Sequence, residues 1–330
     1  MYIESICYKR PRFNDQGTIR EAFSINLTNL NPHFNVIVGK NDTNKEVLSQ
    51  AMWRLKRIFL GNINEPSLYY EIVFVENDVK YLYVLSIEDC IVILEKLICL
   101  NDNRIIFERG LDGLIKSKDN KFENNMQRLD EVTTFIECVD DIKYQKDFKE
   151  AIAIVKFVKK IAYQEFFTIG SQTYFDYEIK PLRESFENFP NSFQMPDPFE
   201  YECSLNSCLG FVLFLLYFYS LKRKENQLHL AWLDSVGCGL DFEEKRRIGH
   251  LIYEQYAVDN QTTQFFMTTH EREILNAIPI EYWQILEKSE QGIQVYNKIN
   301  ASEAFEDFEF TGLSNFDLFS GQMYKETKEE

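Results

Sequence analysis

Cations are the first thing this chain is short of. It has 36 Lys and Arg against 52 Asp and Glu, a formal net charge of −16. A broad nucleic-acid-coating surface needs clustered Lys and Arg to replace the counterions of the phosphate backbone, so that class is disfavoured, although a local basic patch stays open. Paired cysteines are missing too. The seven cysteines (Cys7, Cys90, Cys99, Cys138, Cys203, Cys208 and Cys238) are odd in number, scattered, and form no Cys-x-x-Cys pair. They offer neither a disulfide framework nor a zinc site, and read as reduced core thiols of a cytoplasmic protein. The opening residues "MYIESICYKRPRF" lack the layout of a signal peptide. No apolar run reaches the roughly 20 residues of a membrane span. The nearest is "CLGFVLFLLYFYSL", residues 208 to 221, between "YEC" and "KRKEN". A segment apolar on all sides reads as a core helix buried against a central sheet. There is no heptad pattern long enough for a coiled coil, no internal repeat, and no nucleophile elbow. The acidic residues between 110 and 200 have no spacing that suggests a nuclease.

What the chain has is apolar bulk. Hydrophobic residues make up 45%, with 28 Phe and 18 Tyr, so a sizeable core is available and disorder is not the expectation. A length of 330 residues fits one large domain or two ordinary ones. The alternating "AFSINL" and the short apolar "FNVIV" read as strands, followed by a glycine turn and a helix. "LYYEIVFVENDVKYLYVLSI" (68 to 87) reads as a hairpin around "END", and "IVILEKLICLNDNRIIFERG" as further strands turning at "ND". Residues 110 to 200 are rich in Lys, Asp, Glu and Asn. They contain one helical stretch, "KDFKEAIAIVKFVKKIAYQEFF". The three prolines of 186 to 202 mark a connecting loop. From 203 onward the pattern predicts core helix, strand (Leu228 to Leu233), helix (Glu243 to Tyr256), strand (Gln264 to Met267), then a helix near Glu271. That alternation argues for a parallel α/β layer.

Two stretches carry chemistry. In "FNVIVGKNDTNKEVLSQAM" (34 to 52) a strand runs into Gly39, and Lys45 follows at the spacing of a phosphate-binding loop. Asn44 stands where that loop has its second glycine, and Glu46 where it has Ser or Thr. In "LHLAWLDSVGCGLD" (228 to 241) an apolar strand ends in Asp234, and "QFFMTTH" (264 to 270) ends in Thr268, Thr269 and His270. A carboxylate at the carboxyl end of a parallel strand lies where open α/β sheets bind ligands. Plainer readings stand beside these: Lys45 as a solvated helix lysine, Asp234 as a cap after a strand, and His270 as a satisfied core histidine. The runs "LKRK" (221 to 224) and "EKRR" (244 to 247) read first as solvated helix surface.

Taken in order, "GKNDTNK", "SLNSCLG" before an apolar helix, "LAWLDSVGCGLD" and "FFMTTH" resemble the ATP-binding-cassette heads of the RecF, SMC and OLD type. The likeness is to the small bacterial AAA/ABC ATPases of anti-phage systems in particular. It spans most of the chain, including "FEFTGLSNFDLFS" (308 to 320). It implies an α/β P-loop NTPase fold: a mainly parallel central sheet, an N-terminal antiparallel β-layer and an inserted helical lobe. It divides one composite domain into 1–110, 111–202 and 203–330. It also implies that Gly39, Lys40, Asn41, Asn44, Lys45 and Glu46 form the nucleotide loop, with Asp234 and Glu46 near Mg²⁺. Leu205, Asn206, Ser207 and Cys208 fall on the signature motif, Leu240 and Asp241 on the D-loop, and His270 on the switch histidine. Ser235 stands where the family carries its catalytic glutamate.

The departures weaken turnover. Asn tolerates left-handed backbone better than other side chains, so Asn44 is the mildest. A carboxylate at Glu46 about 4 Å from a phosphate charge would repel it by roughly 4 kcal/mol at an effective dielectric near 20, unless a metal lies between them. Ser235 offers no carboxylate to polarise water, a loss of about 10² to 10⁴ in rate. The implied protein is a degenerate ATPase subunit that has lost hydrolysis, with ATP and Mg²⁺ binding either kept or lost, and that pairs with itself, with an active ABC-type ATPase, or with a defence effector. The alternatives are a weakly active Mg-ATPase and a DNA-associated RecF-like head.

Overall fold

The computed structural model describes residues 1–13, 19–40, 43, 45–61, 67–117, 129, 130, 132–139, 148–169, 172–176, 229–237, 240–259, 263–289 and 292–325. The signature-like residues 205–208, the apolar run 208–221, the proline loop 186–202, Asn41 and Asn44 lie outside them. The chain divides into two compact units, 1–32 with 42–161 and 287–295, and 33–41 with 162–286 and 296–330.

The first unit is an antiparallel sheet with helices on one face. Its strands are β1 (Tyr2–Phe13), β2 (Ile19–Leu27), β4 (Ser67–Glu76), β5 (Val79–Glu88), β6 (Ile91–Cys99), β7 (Arg104–Gly110) and β8 (Ile115–Lys116), in the order β2-β1-β4-β5-β6-β7-β8. The β4–β5 hairpin turns on Asn77 and Asp78, both at positive φ (50° and 64°). Two consecutive left-handed residues give the tight turn whose twist matches the flanking strands. Strand β4 alternates, burying Leu68, Tyr70, Ile72 and Phe74. That face packs on α1 (Lys45–Phe59) and α3 (Lys149–Lys159): the Tyr70 hydroxyl donates to the Ala51 carbonyl (2.7 Å), and Phe74 meets Phe157 edge-on at 5.8 Å. Helix α1 forms because Leu48, Ala51, Met52, Leu55, Ile58 and Phe59 recur at helical spacing, giving one buried stripe. A short helix, α2 (Phe135–Cys138), completes the layer.

The second unit is built on parallel strands. β3 (Phe34–Gly39), β11 (Leu230–Asp234), β12 (Gln264–Thr269) and β13 (Trp283–Ser289) lie in the order β11-β12-β3-β13, each neighbouring pair parallel. The antiparallel pair β9 (Ile161–Ile169) and β10 (Gln172–Asp176) flanks β11. All residues of β3, β11 and β12 are buried, as parallel strands covered on both faces should be. One face carries α4 (Phe242–Ile252), α5 (Arg272–Asn276), α6 (Ser302–Glu309) and α7 (Asn315–Ser320). Ile248, Ile274, Phe305 and Leu318 there pack with Val36, Leu233 and Met267. A π-helical stretch, Tyr253–Asp259, prolongs α4 and lays Tyr256 on Phe265, ring centroids 4.0 Å apart.

The helix expected over 146–167 stops earlier. α3 ends at Lys159, Lys160 leaves helical geometry (φ −95°, ψ 16°), and the chain enters β9 at Ile161. The residues beyond Lys159 include Ile, Tyr and two Phe, and a strand neighbour in the sheet overrides the local helical pattern. Strand β12 runs two residues beyond its expected end, taking in Thr268 and Thr269.

Candidate functional site

The sheet of the second unit brings distant segments to one edge. Because β11, β12, β3 and β13 run the same way, their carboxyl ends lie together. β12 pairs with β11 through Leu233↔Met267 and with β3 through Thr269↔Val38. One step further along, the register sets Asp234 beside Thr268, and His270 beside Gly39. Strands lie about 4.8 Å apart, so the ends of β11 and β3 stand roughly 10 Å apart with the end of β12 between them.

Asp234 is buried, and its Oδ1 accepts a hydrogen bond from the Thr268 hydroxyl. The same hydroxyl oxygen accepts from the Ser235 backbone N–H (2.7 Å), and the Thr268 carbonyl accepts from the Val236 N–H (2.9 Å). The Thr269 hydroxyl donates to the Val236 carbonyl (2.9 Å) and accepts from the Glu271 N–H (3.1 Å). The turn after β11 is thus sewn onto the end of β12. Its backbone is unusual: Ser235 has φ +55° and Gly237 φ +93°. A Cβ at Gly237 would stand 2.5 Å from Ile274 Cδ1 and 2.9 Å from Glu271 Cγ, so those side chains would have to move, and the positive φ itself favours glycine. A salt bridge from Lys245 to Glu271 (2.8 Å) ties the start of α4 to the start of α5 beside this turn.

The other expected residues fall as follows. Gly39 closes β3 and is buried, while Lys40 is exposed just beyond it. Lys45 is the first residue of α1 and only 2% exposed. Lysine is almost never so buried unless paired, and its charge sits at the helix end that repels cations, so the plain solvated-lysine reading does not hold. Glu46 follows it in α1. His270 is exposed at the end of β12. Asp241 is the N-cap of α4: its carboxylate accepts from the Glu244 N–H (2.9 Å), and Glu244 reciprocates on the Asp241 N–H (3.0 Å). That capping box accounts for Asp241 without any ligand. Among the described residues no cluster of three or more His, Cys, Asp or Glu suits a metal, and Cys7, Cys90, Cys99 and Cys138 are free thiols. No described helix is long and apolar enough to cross a membrane.

Sequence reasoning missed Thr268 and Thr269. The available signal was two hydroxyl residues closing an otherwise apolar strand. It also missed a buried polar network in the first unit. Glu95, fully buried on β6, accepts from the Tyr83 hydroxyl (3.1 Å) and from the backbone N–H groups of Phe135 (2.5 Å) and Ile136 (2.9 Å). It caps α2 from another part of the chain. Burial pushes its carboxyl up to about 7, opposed by those hydrogen bonds and by Arg109. Buried Arg109 donates to the carbonyls of Thr133 and Asp130, holding the segment that leads into α2. An acid at an inward position of "IVILEKLICL" was the clue.

No protein-family model matches the sequence, and no curated protein matches it. Solved structures do. The chain is similar to the SMC head domain from Thermotoga maritima, at 13% identity and a TM-score of 0.37, covering 90% of this chain and 99% of that one. It is also similar to an SMC head solved bound to the C-winged helix domain of ScpA, at 11% identity and a TM-score of 0.38, covering 89% and 97%.

Proposed function

We propose that this chain is a nucleotide-binding head of the ATP-binding-cassette kind that holds ATP and Mg²⁺ but hydrolyses ATP weakly or not at all. The observation that supports this reading is the convergence of Asp234, Thr268 to His270 and Gly39 on the carboxyl ends of adjacent parallel strands. In this reading the segment from Gly39 through Lys40, Asn41 and Asn44 to Lys45 would hold the phosphates. Asp234, a hard oxygen ligand already oriented by Thr268, would hold Mg²⁺, which when bound neutralises phosphate charge. His270 would face the terminal phosphate. Ser235 supplies a hydroxyl but no carboxylate to activate water. The protein would act by association, dimerising through its head with itself or with an active ATPase, or holding a defence effector, in the cytoplasm.

Titration calorimetry with ATP and Mg²⁺, together with phosphate-release kinetics, tests this. The expected result is Mg²⁺-dependent binding that Lys45→Ala abolishes, with phosphate release at background in both proteins. No binding by the wild type would overturn the nucleotide reading. Hydrolysis that Lys45→Ala removes would overturn the inactive-head reading in favour of a weakly active Mg-ATPase. A gel shift that weakens steeply with salt would instead favour a DNA-associated head.

A further inference from the structure

Two turns of the second unit display large apolar side chains to solvent while being tightly built themselves. Phe310 is 90% exposed, Ile299 66% and Leu313 51%. Phe310 and Leu313 lie on the turn between α6 and α7. There the Phe310 N–H donates to the Asp307 carbonyl, the Thr311 N–H and hydroxyl both donate to the Phe308 carbonyl, and the Leu313 N–H donates to the Thr311 hydroxyl. Ser314 and Asp317 then form a capping box that starts α7. Ile299 lies on a second turn, where the buried Asn297 carboxamide oxygen accepts from the Ile299 and Asn300 N–H groups (3.0 Å each). The Asn297 nitrogen donates to Gln284 in the core. The ion pair between Lys298 and Glu309 (2.7 Å) joins the two turns, and Ile299 and Phe310 are the residues next to that pair. Exposed apolar side chains on turns of ordered backbone suit an interaction site, because little entropy is lost when they are covered.

The surrounding charge selects the occupant. Glu303, Glu306, Asp307 and Glu309 are exposed along α6 and its end, and no Lys or Arg occurs between 299 and 324. Lys298 feels Glu309, Glu281 and Glu306 together, so one cation answers three carboxylates. Arg272 is a second cation, over the Phe316 ring of α7 and facing Asp317, on the far side of the turn from α6. Carboxylates of α6 lying between the two apolar turns repel nucleic-acid phosphates and anionic lipid headgroups. They also repel a second copy of this surface, since the same carboxylates would meet across a two-fold contact. We infer that Ile299, Phe310 and Leu313, with the carboxylates of α6, form a docking surface for a protein segment that carries apolar anchors flanked by Lys or Arg. The inference is independent of whether the chain binds nucleotide.

The test uses a fluorescein-labelled synthetic helix with Leu at i, i+3, i+4 and i+7 and Lys elsewhere, beside a scrambled peptide of the same composition. Anisotropy is read with the full chain at 150 and 500 mM salt. Expected is saturable binding of the amphipathic peptide, about tenfold weaker with Phe310→Ser/Leu313→Ser. Glu306→Gln/Glu309→Gln should weaken it severalfold and flatten its salt dependence. The exposed control Leu111→Ser should leave it unchanged, and circular dichroism checks that each variant is folded. Equal affinity for the scrambled peptide, or no effect of Phe310→Ser/Leu313→Ser, would overturn the proposal. So would Phe310-dependent co-sedimentation with anionic phospholipid vesicles, which would make the patch a membrane contact, or Phe310-dependent self-association in sedimentation equilibrium.

Discussion

Replacing Glu95 by Gln should remove a pH dependence of stability that the wild type carries between about pH 4.5 and 7. Glu95 is fully buried on β6, and its folded-state pKa is raised from 4.5 to about 7, chiefly by burial. A raised carboxyl favours folding while it is protonated in both states. The unfolded chain releases that proton near 4.5, whereas the folded chain keeps it until about 7. Over this window the folded state binds more protons, so stability falls as pH rises. The rise from 4.5 to about 7 corresponds to about 3 kcal/mol of stability lost between those pH values. Asp102 and Asp317 pull the other way, because their pKa values are lowered, but they act below pH 3.8 and so outside the window. Glu137, also raised, contributes to the same window in both proteins and cancels in the comparison. Gln has the shape of the protonated acid but does not titrate. Urea unfolding followed by circular dichroism at pH 4.5, 5.5, 6.5 and 7.5 should show wild-type stability falling more steeply than that of Glu95→Gln. The gap should change by roughly 3 kcal/mol across the series. Parallel curves would refute the reasoning, since they would mean that Glu95 carries the same charge folded and unfolded.

Thr268→Val should cost about 1 to 3 kcal/mol in chemical unfolding, because it leaves the Ser235 N–H without its acceptor and removes the donor to Asp234; Thr268→Ser should recover most of it. Gly249→Ala should destabilise by about 1 to 3 kcal/mol, read as a lower melting temperature. The added methyl would stand 2.9 Å from Ala277 Cβ and 3.1 Å from the Ile274 backbone, where α4 meets α5. Asp241→Ala should cost about 1 kcal/mol through the lost capping box, and Asp241→Asn or Asp241→Ser should restore most of it; if neither does, capping is not what Asp241 contributes.

The local pattern carried the strands well and their neighbours poorly. The apolar runs before Gly39, Asp234 and Thr268 identified β3, β11 and β12 to within two residues, because buried parallel strands are apolar throughout. Nothing local says that β12 lies between β11 and β3. The β12–β3 pairing joins Thr269 to Val38 from opposite ends of the chain, while the β11–β12 pairing decides that Thr268 meets Asp234, 34 residues away. Thr268 and Thr269 were therefore visible as hydroxyls but not as the stitching of the turn. The same limit explains α3 and β9: 146–167 reads as one amphipathic stretch, and only the sheet neighbour divides it at Lys160. Glu95 caps a helix forty residues further on, a pairing that no window along the sequence contains.

Residue identity and residue surroundings weigh differently across the candidate site. Asp241 was singled out by its place in a motif, yet its carboxylate and N–H both satisfy the first turn of α4. A helix beginning there would select Asp whatever the protein binds. Lys45 presents the reverse case. It is buried in the first turn of α1, where exposed lysines are the rule, so its surroundings and not its motif set it apart. Asp234 lies between them: the Thr268 hydroxyl satisfies one oxygen, but a strand end alone does not require a buried carboxylate. A residue fully used by the structure around it is no argument for a ligand, and by that measure Asp241 adds nothing to a nucleotide reading.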